Sequence, residues 1–490
     1  MGSFSNRVIH SDKRVYLVLG IIGIIVSLCF AFLIKELGLA GGAIPLALMI
    51  GIPVLYGVIA YPRFGIIILI ISAFLLMWVY KFGWVEFPLG TLMDGLQALL
   101  IIGFLIKQKY HSNWRIFRNP ISYMILIWIS YNLLEFFNPW AESRLAWVYT
   151  IRSVAAIMLM YFIFTYSITS VKFIRTIIIV WLSLCVFAAL YAIRQEYWGL
   201  FPFEQRIVDA DPLLQSLLFI DGHLRKFSIF ADPVSFSYNM VVASALCLAL
   251  VWGPTSVFKK IVLLLMAALF LTTMFYAGTR AAYVLLPSAL IFFAILNLNR
   301  KILIYAGIAA VVITFFVFVP TSNPTLYRFQ SAFRPSADAS YNVRQINQKR
   351  MQPYIRSHPF GGGLGATGAW GVRFAPYSFL AQFPPDSGYM RVAAELGWIG
   401  LILLCTLIFI VLKTGIENFF EIKDPELKAY CLAMLLIVFI FHFGNFPQEA
   451  FVQYPSNVLF YLSIALINVT RRLDIEKQKK LAPPPIITVP

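Results

Sequence analysis

Charged residues are scarce in this sequence. Only 12% of the 490 residues are Asp, Glu, Lys or Arg, whereas soluble globular domains carry about 25%. Hydrophobic residues make up 60% of the chain and aromatic residues 16%. The shortage of charge excludes an ordinary water-soluble domain, and we expect most of the surface to face lipid.

Cysteine is also rare, and no spacing typical of metal ligands is present. The cysteines all lie inside apolar runs: Cys29, Cys185, Cys247, Cys405 and Cys431. These positions exclude a disulfide framework and indicate small buried side chains. The sequence also lacks a fixed-period repeat and the alternation of barrel strands. We therefore expect an all-α chain that uses neither a metal nor a cofactor.

Long apolar runs are what the sequence has in abundance. A transmembrane helix needs about 20 mostly apolar residues. Fourteen segments fit, at approximately 15–34, 41–61, 64–81, 90–106, 120–137, 147–167, 173–193, 234–253, 258–277, 281–298, 302–320, 389–412, 428–446 and 453–470. We predict an all-α polytopic integral membrane protein with about 14 transmembrane helices, in the range 12–14. Residues 1–470 form a single transmembrane domain in this interpretation, and 471–490 a flexible cytoplasmic tail.

Basic residues favour one side of the predicted membrane. They cluster at the N-terminus, in the connections 107–118, 170–175 and 299–301, and in the tail. By the positive-inside rule these segments are cytoplasmic, so both termini are expected inside the cell. Much of the net charge of +17 is then explained by topology, and nucleic acid is not expected as a partner.

Two predicted outer loops are long, at about 194–233 and 321–388. Loops of more than about 15 residues are usually functional or disordered. The second loop, before the twelfth predicted span, is too aromatic for a disordered linker. We expect it to fold over the outer face, with a helix at 341–357 that is interrupted at Pro353.

The second outer loop carries far more cations than acids. Against Asp338 and Asp386 stand seven cations: Arg328, Arg334, Arg344, Lys349, Arg350, Arg356 and Arg373. A planar guanidinium suits bidentate binding of phosphate oxygens. The loop therefore predicts an outer-face site for a multiply anionic ligand, and the alternative is a loop that rests on anionic lipid headgroups.

Two more arginines lie near predicted outer ends of spans. Arg280 sits between two apolar runs, where a charge is costly unless it is paired or hydrated; the alternative is snorkelling to the interface. Arg225 is a weaker ligand-binding candidate. It precedes Asp232 and Pro233, a pair typical of a helix cap followed by proline at the first helical position.

The stretch PPDSGYMRVAAELGWIG (384–400) places three charges before an apolar run. Arg391 and Glu395 are spaced i,i+4 and share a helix face, and we interpret Glu395 first as a structural residue. Asp386 ends the arginine-rich loop, where it either caps the helix or serves as a base. His358 precedes a proline and a glycine cluster, which favours a structural turn.

Several segments together resemble the O-antigen ligase and O-antigen polymerase (Wzy-like) family of bacterial membrane glycosyltransferases. GTRAAY (278–283) is similar to the family's Ser-Arg-Gly-Ala-type motif, and NVRQINQKRMQPYIRSHPFGGGLG (342–365) to its Arg-led segment ending in His-Pro-x-x-Gly-x-Gly. DSGYM (386–390) resembles the short His-Asn-x-x-Leu motif, and ELGWIGL (395–401) the Glu-x-Gly-x-x-Gly-Leu motif. RKFSIFADPVSF (225–236) is a looser match.

The resemblance implies a reaction at the outer face of the bacterial cytoplasmic membrane. The donor is a glycan on undecaprenyl pyrophosphate, and the acceptor is a hydroxyl of a glycan or lipid. By position, Arg280 and Arg344 correspond to the arginines that hold the pyrophosphate. Asp386 takes the place of the motif histidine as the base. Arg225, Arg350, Arg356, His358, Arg391 and Glu395 are secondary candidates.

Three functions remain open from the sequence. Aspartate in place of the motif histidine resembles the polymerase branch, so we favour polymerisation of repeat units into an O-antigen or exopolysaccharide, with a chain-length regulator as an expected partner. The first alternative is a ligase that transfers finished glycan to another acceptor. The second is a flippase for lipid-linked sugars or a secondary transporter, which predicts charges near mid-membrane and paired broken helices.

Overall fold

The computed structural model describes residues 39–83, 89–220, 222–334, 339–383 and 387–481, together with scattered positions between 20 and 35. The chain divides into two compact units, residues 1–61 and 62–490. In the first unit, α1 spans Leu39–Ala60. The predicted first span, 15–34, lies largely outside the described residues. A single domain over residues 1–470 stays a prediction.

The second unit is built almost entirely from helices. Its first half contains α2 (Pro62–Lys81), α3 (Leu89–Tyr110), α4 (Pro120–Leu134), α5 (Arg144–Ser167), α6 (Val171–Trp198), α7 (Pro202–Ala210) and α8 (Pro212–Leu218). Two short 3₁₀ helices, Trp114–Phe117 and Glu135–Phe137, flank α4. An antiparallel hairpin follows α8, and each of its strands, β1 (Phe219–Ile220) and β2 (His223–Leu224), has two residues.

The second half of this unit continues the helical pattern. It contains α9 (Pro233–Trp252), α10 (Val257–Tyr276), α11 (Arg280–Leu296), α12 (Arg300–Phe318), α13 (Pro324–Ser331), α14 (Ala339–Ser357), α15 (Gly368–Phe374), α16 (Gly388–Glu395), α17 (Gly397–Glu421), α18 (Pro425–Gly444) and α19 (Ser456–Leu481). Asp232 caps α9 by accepting from the Val234 and Ser235 amides, with Pro233 at the first helical position. The predicted cap is thus confirmed.

Ten helices in the described ranges are long and apolar enough to cross a membrane, and α11 is a shorter apolar helix. The prediction of an all-α polytopic membrane protein is confirmed. Most residues of α9 and α18 are buried, whereas α12 buries only Ile302 and Val317. The core therefore surrounds α9 and α18, and α12 presents an apolar surface suited to lipid. The count of 14 spans stays a prediction.

The predicted span at 389–412 is wrong at its start. The structure ends α16 at Glu395 and begins α17 at Gly397. Gly397 has a φ of +68°, and a side chain there would collide with the carbonyl oxygen of Pro359. Because only glycine adopts this conformation readily, the chain turns sharply here, and α16 forms a short helix ahead of the membrane-spanning one.

The predicted flexible tail is also wrong as far as Leu481. Helix α19 continues through residues 471–481 because polar contacts fix it. Arg472 donates to the carbonyl oxygens of Thr165 and Ile168. The buried Asp474 accepts from the backbone amides of Lys423 and Asp424. The charge-rich end of α19 is therefore bonded to the end of α5 and to the connection between α17 and α18.

Connections predicted on the same side of the membrane meet at the same end of the second unit. At one end, Arg63 donates to Ser167 O and Arg175 pairs with Glu426 at 2.6 Å. At the other, which we call the loop end, Asn138 donates to the carbonyl oxygens of Phe360 and Gly361. Both long loops are helical in part, and α14 confirms the helix predicted at 341–357. It is not interrupted, since Pro353 lies inside it.

Candidate functional site

A cavity of about 440 Å³ opens at the loop end. Its walls come from α11, α14 and α16, from the end of α13, and from the end of α18 with the residues that follow. We call it the arginine cavity, and its lining residues are Arg280, Ala281, Val284, Leu285, Ser331, Ala332, Arg344, Tyr389, His442, Phe443, Phe446 and Pro447.

Arg280 and Arg344 lie in the lining of this one cavity. Arg280 is the first residue of α11, and Arg344 belongs to α14. The positive end of a helix dipole is at its amino terminus, so α11 adds to the positive potential at Arg280. The structure brings these two predicted pyrophosphate ligands together; their role stays a prediction.

Arg225 holds the turn before Arg280 rather than lining the cavity. Its Nε donates to Ala277 O at 2.9 Å, and one terminal nitrogen donates to Thr279 Oγ1 at 3.1 Å. Burial, with the nearby charge of Arg328 as the next cause, lowers the pKa of Arg225 to about 10. The guanidinium therefore remains charged at neutral pH.

Arg328 is also hydrogen-bonded to the turn that precedes Arg280. Its Nε donates to Gly278 O at 2.6 Å. Gly278 has a φ of +57°, and a Cβ there would lie 3.1 Å from that nitrogen. Arg225 and Arg328 together fix the backbone from which the Arg280 side chain leaves, and both add positive charge behind it.

The start of α16 is docked against the end of α18. The Gly388 amide donates to Asn445 O at 3.0 Å, and the Ser387 hydroxyl lies 3.4 Å from the same oxygen. Asn445 is buried, and its side-chain oxygen accepts from the Ala450 amide. Asp386, the predicted base, lies outside the described residues, so its role stays a prediction.

Substitution of Gly388 by alanine should destabilise the protein. A Cβ at this position would overlap Asn445 Oδ1, and overpacking of this kind costs about 1–3 kcal/mol. Thermal unfolding in detergent should show a lower midpoint for Gly388→Ala. The matched control is Gly95→Ala on α3, where a Cβ meets no atom within 4 Å. Equal midpoints for the two variants would contradict the docking of α16.

Two titratable residues of the cavity lining, Tyr389 and His442, were not among the candidates predicted from the sequence. The Tyr389 hydroxyl is hydrogen-bonded to His442 Nδ1 and lies 3.1 Å from His442 O. The ring centroids of Tyr389 and Phe446 are 6.4 Å apart. The sequence did contain a signal for His442, which is an ionisable residue inside the predicted span 428–446. Ionisable residues in membrane segments usually serve a function.

Arg391 and Glu395 form the predicted i,i+4 pair, with 3.2 Å between Nε and Oε1. A second carboxylate, Glu449, lies 2.8 Å from Arg391. The charge of Glu395 raises the pKa of Arg391. Burial raises the pKa of Glu449 despite the arginine. This triad lies outside the cavity lining and indicates a structural junction.

Glu395 also anchors the glycine-rich segment 361–367. Its carboxylate accepts from the Gly365 and Thr367 amides, at 3.1 and 3.2 Å, and from the Thr367 hydroxyl. Glu395 as a whole is 2% exposed. The structure thus agrees with the interpretation of Glu395 as a structural residue.

The three remaining candidates are not in the cavity lining. Arg350 lies 6.0 Å from the ring centroid of Phe379, and Arg356 is exposed. The His358 ring stacks on Tyr354 at 4.0 Å between centroids, and its Nδ1 is 2.9 Å from Tyr354 O. Stacking next to Pro359 agrees with a structural turn.

Comparison with known proteins bears on this region. Residues 261–405 match the Wzy_C family model, described as O-antigen ligase. The matched range contains Arg280 and Arg344 but neither Arg225 nor His442. No curated protein matches the chain. The match over these residues supports the O-antigen ligase and polymerase family and a membrane function of that kind.

Proposed function

We propose that the protein is a glycosyltransferase that polymerises repeat units of a surface polysaccharide. The donor is a glycan linked to undecaprenyl pyrophosphate, and the site lies at the outer face of the bacterial cytoplasmic membrane, with both termini inside. The observation that carries the proposal is the shared cavity of Arg280 and Arg344. Its volume of about 440 Å³ falls within the roughly 300–1,000 Å³ typical of small-molecule sites.

The proposed step is a displacement at the anomeric carbon of the donor sugar. The acceptor oxygen forms a bond to that carbon while the bond to the pyrophosphate oxygen breaks, and its electron pair leaves with the pyrophosphate. Arg280 and Arg344 stabilise the charge that develops on the phosphate oxygens. The hydroxyl proton passes to Asp386, which acts as the general base.

The apolar part of the cavity suits a lipid-linked donor. Phe443 and Phe446 line it and are 44% and 66% exposed. Val284 and Leu285, on the first turns of α11, extend the same wall. Since α11 is an apolar helix, a cavity at its amino end can admit a charged headgroup while the polyprenyl tail stays beside apolar side chains.

Reconstitution tests the proposal directly. Purified protein in liposomes, given an undecaprenyl-pyrophosphate-linked repeat unit, should form longer glycans and release undecaprenyl pyrophosphate. Asp386→Asn should lower the rate by about 10²–10⁴-fold, the usual contribution of a general base. Turnover that survives in Asp386→Asn at the parent rate would contradict the assigned base.

A ligase is the second candidate, because the matched family model is described as O-antigen ligase. Cells that lack the protein distinguish the two activities. Loss of a polymerase leaves single repeat units on the final acceptor, whereas loss of a ligase leaves long lipid-linked chains. We expect single repeat units, and accumulated long chains would favour the ligase. A chain-length regulator stays a predicted partner.

A further inference from the structure

The arginine cavity contains a histidine whose orientation is fixed by a neighbour. His442 and Tyr389 both line the cavity with Arg280 and Arg344. The two rings meet edge to face, with centroids 5.8 Å apart and planes at 83°. The Tyr389 hydroxyl is bonded to His442 Nδ1. Since Nδ1 is occupied, Nε2 is the ring nitrogen available to a ligand in the cavity.

The hydrogen bonds of Tyr389 determine where the imidazole proton is held. When the hydroxyl donates to Nδ1, the proton of the neutral ring sits on Nε2. When an anionic ligand favours the doubly protonated ring, Nδ1 donates to the hydroxyl, which then donates to His442 O at 3.1 Å. In these two states Nε2 carries a proton and can donate to an anion. A neutral ring with its proton on Nδ1 would instead leave Nε2 as an acceptor, and an anionic ligand disfavours that state.

We propose that His442 is a further pyrophosphate-binding residue, which donates from Nε2 to the donor lipid's phosphate oxygens, and that Tyr389 positions its ring. The inference rests on the proposed function. It adds a third donor, from α18, to the arginines of α11 and α14. It also extends the binding site beyond the matched range 261–405.

The charged and titratable neighbours of His442 are consistent with this role. Arg280 of α11 and Arg344 of α14 share its cavity, and Tyr389 of α16 bonds its ring. Cys405 of α17 faces Tyr389. Two guanidiniums and a hydrogen-bond donor line this cavity together and form a surface for an anion.

Two substitutions of His442 separate the contributions of the ring nitrogens. In His442→Gln the side-chain amide lies near the former position of Nε2. In His442→Asn the shorter side chain places its amide near the former position of Nδ1. The probe is farnesyl pyrophosphate, titrated into the purified protein in detergent. His442→Asn should weaken its binding about 10-fold, as expected when a hydrogen bond to a charged group is lost. His442→Gln should stay within about 3-fold of the parent.

The positioning role of Tyr389 has its own readout. Tyr389→Phe should weaken binding by a few fold, and the combination with His442→Asn should add little, because both changes act through one ring. The control is His111→Asn, an exposed histidine at the opposite end of the unit. Its affinity should equal that of the parent.

The outcomes also distinguish this inference from the function on which it rests. If the parent binds farnesyl pyrophosphate and Arg280→Ala does not, while His442→Asn binds like the parent, only the role of His442 is overturned. Equal weakening by His442→Gln and His442→Asn would also overturn it, since the donor at Nε2 would not matter. If the parent fails to bind the probe, both proposals are wrong.

Discussion

Replacement of Arg280 or Arg344 by alanine is expected to lower the turnover of a pyrophosphate-linked glycan about 10²–10³-fold. Removal of one preorganised donor to a developing negative charge has this magnitude. The two side chains share one cavity but belong to separate helices. Neither can replace the other, so each single substitution should cause the loss. The measurement is the rate of pyrophosphate-lipid release by reconstituted protein.

Lysine substitutions refine this expectation. Arg280→Lys and Arg344→Lys keep the charge but lose the planar fork that binds two phosphate oxygens at once. We expect rates between those of the parent and the alanine variants. The control is Arg206→Ala, an exposed arginine on α7. Parent-like rates in either alanine variant would contradict the assignment of these arginines.

Glu395→Ala should produce the largest loss of stability, about 3–5 kcal/mol, because it leaves Arg391 with only one of its two carboxylate partners and removes a buried ion pair. The carboxylate also holds the amides of Gly365 and Thr367. Both the glycine-rich segment and the junction of α16 with α17 depend on it. Thermal or chaotrope unfolding in detergent should show the effect.

A matched pair of variants separates this structural role from a general effect of lost charge. Glu395→Gln keeps the shape and part of the hydrogen bonding, so we expect an intermediate loss. Glu417→Ala on α17 removes a carboxylate that is 55% exposed and 3.8 Å from Lys413, and exposed pairs contribute about 0–1 kcal/mol. Equal unfolding midpoints for Glu395→Ala and Glu417→Ala would refute the anchoring role.

Apolar length and motif order predicted most of the architecture. Runs of about 20 apolar residues identified the membrane helices because a span must satisfy its own backbone hydrogen bonds. The length of an apolar run does not depend on distant contacts, which explains why the helices were predicted correctly. Arg280 and Arg344 were chosen by their positions in the motifs, and the structure places both in the lining of one cavity, while their role stays a prediction.

The errors arose where distant contacts decide the local structure. The break between Glu395 and Gly397 is invisible to hydropathy, since it depends on the approach of Pro359 O to a glycine with positive φ. The helical end of α19 depends on acceptors at residues 165 and 168. The sequence shows His442 as an isolated residue, and only the fold places it beside Tyr389.

The most direct measurement is an experimental structure with undecaprenyl pyrophosphate bound. We expect the pyrophosphate to lie in the arginine cavity, with guanidinium nitrogens of both Arg280 and Arg344 at hydrogen-bond distance, about 2.7–2.9 Å, from its oxygens. A pyrophosphate bound elsewhere, or contacted by only one of these arginines, would contradict this expectation.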